Sequence, residues 1–436
     1  MKAVIIAGGK GTRMGNLSRE IPKSMIRIGG KPLIEHQIEL LKKYNIKDIT
    51  IITGYLSEVI ENYFKNGNEF GVNISYFKEG KFLGTTGGLK EIERQLKEDF
   101  IVMYGDVMIN MDIDRLINFH KKKKGTGTLV IHPNDHPYDS DLLDINEDQK
   151  VISFYRKPHN KNRYFRNLVN ACVYIFSPKI LKCIKKGVKA DFGKNVFPKI
   201  IKSEALYGYN TAEYLKDMGT LERLKEVRRD YKSGKVARFN RERKRKAIFL
   251  DRDGVINREI DLLHKIKDFK FLSNIDKAIK RINQSEFLSI VITNQPVVAR
   301  NLCSIKELEK IHKKMETLLG QKRAKLDAIY YCPHHPDKGF PEENSEYKIS
   351  CNCRKPKIGL VKKAEKDFNI DLKHSYFIGD SSRDILCGKS AGLVTVGVRT
   401  GKGCRDSNVK PDYLVDNLYK AVSLIMKKDD NNKNTI

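Results

Sequence analysis

Short, unbroken runs of apolar residues recur along the chain, each closed by glycine, threonine or aspartate. Residues 4–7, 49–52, 101–104, 247–250, 289–293 and 376–378 are examples. A run that is apolar at nearly every position, rather than at alternate ones, predicts a strand covered on both faces. Between these runs apolar residues recur at helical spacing, and strand–helix alternation predicts parallel α/β sheets. One beginning occurs twice: a buried strand that ends in a chemically loaded loop, from residue 4 and again from residue 247. The pattern predicts two domains, 1–230 and 247–426. A basic linker is expected over 231–246, where Lys, Arg, Ser and Gly accumulate and the apolar period lapses. A frayed tail is expected over 427–436. The lack of a repeat of about 20–50 residues excludes solenoids and propellers.

Composition changes this picture little. A chain of 436 residues has room for two or three domains, each with its own core. The net charge of +29 raises the question of nucleic acid. The lysines are spread along the whole chain, however, and the densest cluster, 223–246, has no base-reading chemistry. It reads as a solvated linker, and no nucleic-acid partner is expected. No apolar run approaches the roughly 20 residues that span a bilayer, so no membrane partner is expected. The apolar stretch after Met1 is shorter than a secretion signal requires. A cytoplasmic location is expected, with the eight cysteines as thiols or metal ligands rather than disulfides.

The first loop reads Ala7-Gly8-Gly9-Lys10-Gly11-Thr12-Arg13-Met14. Glycines between strand and helix let backbone N–H groups reach phosphate oxygens, which makes Gly8, Gly9, Gly11 and Thr12 candidate nucleotide contacts. The dinucleotide fingerprint wants glycine where Met14 stands, and the P-loop wants Gly-Lys-Ser/Thr; neither fits. Arg13 and Lys23, ten residues apart, are cations placed to clamp a triphosphate. This set resembles the nucleotidyltransferases that join a nucleoside triphosphate to a sugar 1-phosphate. The resemblance implies a Rossmann-like nucleotidyltransferase sheet. It also implies a base- and sugar-side loop of Glu79, Gly84, Thr85 and Gly88, sugar-phosphate contacts from Lys157 and Asn170, and Mg²⁺ held by Asp106 and Asp217. A sugar 1-phosphate oxygen would attack the α-phosphorus in line and release pyrophosphate, with no covalent residue. Arg156 stands where the family usually has Glu.

The second loop reads Leu250-Asp251-Arg252-Asp253-Gly254-Val255-Ile256-Asn257. Two aspartates at i and i+2 after a buried strand suit phosphoryl transfer: Asp251 attacks phosphorus, and Asp253 protonates the leaving oxygen and later activates water. An EF-hand would need Asp or Asn at position five and Gly at position six, where Val255 and Ile256 stand. Further on, Cys332, His334, Cys351 and Cys353 form C-x-H and C-x-C pairs around a loop, a tetrahedral Zn²⁺ set with no open position. His335 competes with His334, and redox use competes for Cys351 and Cys353. Such a metal would fold the loop rather than do chemistry.

The chain order Asp251, Thr293, Lys355, Asp380 resembles that of the haloacid-dehalogenase (HAD) superfamily of phosphatases, and implies a HAD-like Rossmannoid phosphatase domain. In that resemblance Thr293 holds phosphoryl oxygens and Lys355 stabilises them, while Asp251, Asp253 (through its backbone) and Asp380 hold Mg²⁺. Asp384 is either a structural ion-pair partner or a catalytic group. The zinc loop narrows the likeness to heptose bisphosphate and histidinol phosphatases, with Asn294, Gln295, Arg300 and Arg354 gripping the substrate's second phosphate or hydroxyls. Residues 259–262 and Ser381 depart from the heptose enzymes.

Together the resemblances imply a bifunctional enzyme of nucleotide-activated heptose synthesis. It would remove the 7-phosphate of manno-heptose 1,7-bisphosphate and join the resulting heptose 1-phosphate to a nucleotide, GTP by family likeness. The alternatives are a hexose-1-phosphate nucleotidyltransferase fused to a phosphatase for another sugar or histidinol phosphate, and a phosphatase with a nucleotide-sensing first domain.

Overall fold

The computed structural model describes residues 1–9, 11, 20–81, 83–160, 162–337, 343–406 and 409–434, with backbone alone for 432–434. The strands, in chain order, are β1 (Lys2–Ile6), β2 (Arg27–Ile28), β3 (Lys31–Pro32), β4 (Asp48–Thr53), β5 (Asn73–Lys78), β6 (Phe100–Tyr104), β7 (Val107–Asn110), β8 (Gly127–His132), β9 (Leu142–Ile145) and β10 (Val151–Tyr155). They continue as β11 (Val169–Phe176), β12 (Leu206–Asn210), β13 (Tyr214–Asp217), β14 (Lys246–Leu250), β15 (Phe287–Asn294), β16 (Ala328–Cys332), β17 (Tyr376–Gly379), β18 (Val394–Val398) and β19 (Tyr413–Val415).

Two compact units result. The first comprises 1–132, 139–159 and 168–240; the second comprises 133–138, 160–167 and 241–436. In the first unit a sheet runs β10-β9-β11-β6-β1-β4-β5, with β8 joining β11 to β12. β1 is parallel to both β4 and β6, and β4 to β5, whereas β11 runs antiparallel to β6 and β8. The first sheet is therefore mixed rather than wholly parallel. β1 reads as an unbroken apolar run because both its faces are covered, Ala3 and Ile5 packing into one core and Val4 into another. Chain order reverses across β1, and the carboxyl ends of β1 and β6 flank the crevice in which such sheets bind ligands.

The second unit has a six-stranded, fully parallel sheet, β16-β15-β14-β17-β18-β19. β14 is its switch strand, so the ends of β14, β15 and β17 bring residues 251, 293 and 380 to one edge. Thr317, on the helix Ile305–Gln321, accepts from the Phe165 N–H and donates to its carbonyl, which shows why 160–167 belongs to this unit.

Two expectations are corrected. The basic segment is folded, not a solvated linker. The helices Leu221–Lys232 and Lys235–Arg238 bury Val227 and Val236 in the first unit, and Phe239 and Asn240 are buried beside them. Arg245, 3% exposed, uses its guanidinium fork on the Phe368 carbonyl in the second. A long apolar stem with a five-donor head can be buried when carbonyls meet the head, which a count of charges does not register. The tail from Lys427 continues the helix Leu418–Asn434, which buries Leu418, Ala421, Val422 and Ile425 in the core and pairs Asp429 with Lys246 at 2.7 Å.

Candidate active sites

The second unit's site is a single cavity. Asp251, Asp253, Thr293, Asn294, Gln295, Arg354, Lys355 and Asp380 all line it. Asp251 sits one residue past β14, where its Oδ1 accepts from the Arg252 backbone N–H at 2.7 Å and pairs with Lys355 Nζ at 2.9 Å. Among the described residues every contact on this carboxylate falls on Oδ1, so Oδ2 is the oxygen available for attack. Lys355 also pairs with Asp384 at 2.6 Å and donates to the Ile292 carbonyl. Burial and the charge of Asp384 push the Asp251 carboxyl up to about 7, against the pull of Lys355. Burial, with Asp251 and Asp384, likewise pushes Asp380 up to about 8.

Asp251, Asp380 and Asp384 each offer an oxygen within 4.8 Å of the others. Both oxygens of Asp384 are already used, one by Lys355 and the other by the N–H and hydroxyl of Ser381 in a capping box. A cation would therefore draw on Asp251 and Asp380, and this crowding of carboxylates fits one. Of the two roles open to Asp384, the structure supports the ion pair.

Some expected substrate contacts are turned inward. Both ends of the Asn294 amide are taken by the backbone of Lys355, at 3.0 and 2.9 Å, so Asn294 aligns the lysine. Gln295, 2% exposed, bonds Asp253, Thr293 and Arg252. Arg354 lines the cavity, but Arg300 is not among its lining residues; Arg383 and Lys402, which sequence reasoning passed over, are.

The four candidate zinc ligands converge. Sulfur–sulfur distances among Cys332, Cys351 and Cys353 are 3.1–3.5 Å. His334 Nδ1 lies 3.3 Å from Cys353 Sγ and 3.8 Å from Cys332 Sγ. Three thiols and an imidazole at the corners of a small tetrahedron fit Zn²⁺ with bonds of about 2.0–2.3 Å. His335 turns elsewhere, its Nδ1 accepting from the Asp337 N–H. The cluster also touches the chemistry: Cys353 is two residues from Lys355, and the Cys332 carbonyl accepts from the Gln295 N–H at 2.7 Å.

In the first unit Asp106 and Asp217 each face a cation. Lys23 Nζ is 2.5 Å from Asp106 Oδ2, just past β6. β13 pairs with β7 so that Asp217 faces Val107, and the Met218 N–H donates to the Asp106 carbonyl at 2.9 Å. Asp106, in the turn before β7, is thus bonded through its backbone to the end of β13, which carries Asp217. Asp217 is gripped by Arg223 through both oxygens, at 2.7 and 2.9 Å. The same guanidinium reaches Asp139, which also binds Lys157. This Asp217–Arg223–Asp139–Lys157 chain was invisible in the sequence, where Arg223 looked like part of a charge run. Burial, then the charges of Asp106, Asp217 and Asp191, hold the Cys172 thiol well above its ordinary range. Asn170 donates to the Tyr174 hydroxyl.

Glu79 lies against two of the expected glycines. A Cβ on Gly8 would meet its Oε2 at 3.1 Å, and one on Gly88 its Oε1 at 3.2 Å. Burial pushes its carboxyl up to about 7, although the backbone N–H groups of Gly88 and Leu83 favour the charged form. Gly84, at φ +79°, has the Ala190 carbonyl where a Cβ would stand; Thr85 beside it donates to Asp191. Gly9 has open space at its Cα, and Gly11 takes a left-handed φ of +63°. Thr12 and Arg13 lie outside the described residues.

The nucleotidyl transferase family model matches residues 2–234, and a HAD-hydrolase-like model matches 352–421. The D-glycero-β-D-manno-heptose-1,7-bisphosphate 7-phosphatase of Haemophilus ducreyi is 38% identical over 184 residues, 42% of this chain and 98% of that enzyme. The chain belongs to the nucleotidyl transferase family in its first half and to the heptose-bisphosphate 7-phosphatase family in its second. It is an enzyme of two units. The first half is also 33% identical to a UTP–glucose-1-phosphate uridylyltransferase of Synechocystis and to the mannose-1-phosphate guanyltransferase of Saccharomyces cerevisiae. Those alignments take in 47% and 55% of this chain. The chain spans 56% and 65% of the length of those two curated relatives. Among the described residues no helix is long and apolar enough to cross a membrane.

Proposed function

We propose that this chain carries out two consecutive steps, removing the 7-phosphate of a manno-heptose 1,7-bisphosphate and transferring a nucleotidyl group to the heptose 1-phosphate that remains. The observation that carries the reading is the fusion itself. A unit aligned over nearly the whole length of a heptose-bisphosphate 7-phosphatase leaves a sugar 1-phosphate, the acceptor a sugar-phosphate nucleotidyltransferase takes.

In the second unit Asp251 Oδ2 attacks phosphorus while Asp253 gives its proton to the departing sugar oxygen. Asp253 then takes a proton from water, whose oxygen attacks phosphorus, and the bond to Asp251 breaks to release phosphate. Lys355 stays beside Asp251 throughout, and the Thr293 hydroxyl faces the phosphoryl oxygens. Asp251, Asp380 and the Asp253 carbonyl would hold Mg²⁺, which would supply charge neutralisation for those oxygens. Cys332, His334, Cys351 and Cys353 would hold Zn²⁺, which would supply a structural clasp.

In the first unit Lys23 and Arg13 bind the triphosphate, and Lys157 and Asn170 orient the sugar phosphate so that its oxygen approaches the α-phosphorus in line. Asp106 and Asp217 are the carboxylates for Mg²⁺ here. Guanine is the base we expect, on the likeness to the yeast guanyltransferase. Both substrates are phosphorylated metabolites, which favours a cytoplasmic enzyme.

The test supplies purified protein and Mg²⁺ with the α or β anomer of manno-heptose 1,7-bisphosphate and one nucleoside triphosphate at a time, following phosphate and pyrophosphate together. Phosphate followed by pyrophosphate with GTP alone is the expected result. Phosphate without pyrophosphate for any nucleotide defeats the heptose assignment of the first unit. A failure of both, with a generic phosphate ester still hydrolysed, defeats the heptose substrate.

A further inference from the structure

Between the two aspartates of the second loop stands Arg252, whose side chain has 0% exposure. A fully buried arginine is costly unless its donors are met, and here the partners are polar groups of the site. Nη2 donates to Asp253 Oδ1 and Oδ2 at 3.0 and 2.8 Å and to Gln295 Oε1 at 2.9 Å, and Nε reaches Asp253 Oδ1 at 3.3 Å. Nη1 lies 3.1 Å from His312 Nε2, on the helix Ile305–Gln321.

A guanidinium only donates, so His312 Nε2 and Gln295 Oε1 both accept from it. His312 is therefore neutral with its proton on Nδ1; burial and the nearby Arg252 and Arg166 hold it far below its usual protonation range. With its oxygen committed to Arg252, Gln295 turns its Nε2 toward Asp253 Oδ2 at 2.7 Å and Thr293 Oγ1 at 2.9 Å. Thr293 thus accepts from Gln295, and its own hydroxyl proton is left for a phosphoryl oxygen. Asn257 Nδ2 adds a further donor to Asp253 Oδ1 at 2.8 Å. Every group on Asp253 is a donor, so together they fix where its carboxyl group points.

We propose that Arg252 is the positioning residue of the dephosphorylation step. Backed by His312 and acting through Gln295, it fixes the Asp253 carboxyl beside the reacting phosphoryl group and aims Thr293 at its oxygens. The inference rests on the phosphatase reading of the second unit. The proton account closes over a cycle: Asp253 gains a proton as water attacks the Asp251 phosphoryl ester, and gives it to the next departing sugar oxygen.

The test uses the full chain with two variants, Arg252→Gln and Gln295→Leu, and two substrates, manno-heptose 1,7-bisphosphate and p-nitrophenyl phosphate, both ³²P-labelled. Acid quenching traps phosphate on the protein. Dephosphorylation is common to both esters, so kcat is expected to fall about 10- to 100-fold for each, the range a misplaced catalytic group costs. The trapped fraction is expected to rise at least about threefold. A fall confined to the sugar ester, without trapped phosphate, would place the pair in the proton-donating step and overturn the proposal. A lowered melting temperature with unchanged kcat and trapping would make Arg252 structural only. Should Arg252→Gln not fold, Gln295→Leu decides, because it leaves the buried arginine in place. Unaltered protein that hydrolyses neither ester and traps no phosphate would defeat the phosphatase reading instead.

Discussion

Both units place aspartates at or just past the ends of strands, and treat them in opposite ways. In the first, Asp106 faces Lys23 and Asp217 faces Arg223, one cation to each acid, and the Asp106 side chain is 36% exposed. In the second, Asp251 and Asp384 press on a single buried lysine, with Asp380 beside them. Paired, open carboxylates suit a step in which the protein only positions two bound substrates and balances charge. Crowded, buried carboxylates are held high in free energy as anions, which suits a group that must itself attack phosphorus. Strand-end aspartates in two different sheets are thus tuned by the number of cations supplied and the depth of burial.

The sharpest way to break this contrast is Asp251→Asn. Phosphate release is expected to fall on the order of 10⁴-fold or more, as when a nucleophile is lost, with pyrophosphate release from added sugar 1-phosphate within about twofold. A comparable loss in both activities would mean that the units do not work separately. Asp106→Ala makes the reciprocal case: nucleotidyl transfer is expected to fall about 10³-fold, read as pyrophosphate, with phosphate release unchanged. Retained transfer would point instead to a first unit that only senses nucleotide.

A smaller effect probes how the second site is propped. Cys353→Ser is expected to release the metal, read by zinc analysis, and to lower phosphatase kcat about 10- to 100-fold. Cys353 is two residues from Lys355, and Cys332 supports Gln295. Loss of zinc with full activity would show a clasp independent of the site.

The smallest prediction concerns Glu79. Its carboxyl lies near 4.5 in the unfolded chain and is pushed up to about 7 by burial in the fold. The folded state therefore binds the proton more tightly, and the cost of burying the charge appears above pH 4.5 and is complete above 7. Glu79→Gln removes that cost. The variant's gain in melting temperature is expected to be a few degrees at pH 8 and near zero at pH 4. An equal gain at both would show that the charge is not the cause.

Much of both sites was legible because the chemistry is local. The aspartate pair at 251 and 253, the ligand pairs at 332/334 and 351/353, and the glycines of the first loop announce themselves by spacing within a few residues. What stayed hidden were partners brought in from elsewhere, or residues masked by their neighbours' character. Asn294 looked like a substrate contact because it ends a strand, yet it is satisfied by a backbone 61 residues away. Arg223 and Arg245 were absorbed into a charge run, and only burial separates them from solvated neighbours.

The sequence by itself determined the buried strands, the order of the motifs and which acids are candidates to react. Periodicity and turn chemistry act over a few residues and survive without a fold. Tertiary structure alone decided that the first sheet is mixed and that the basic segment and the tail are packed. It decided too which cation answers each carboxylate, and that Arg252 turns inward to His312. Those outcomes depend on register between distant strands and on how deeply each charge is buried, and neither is written in any single stretch of chain.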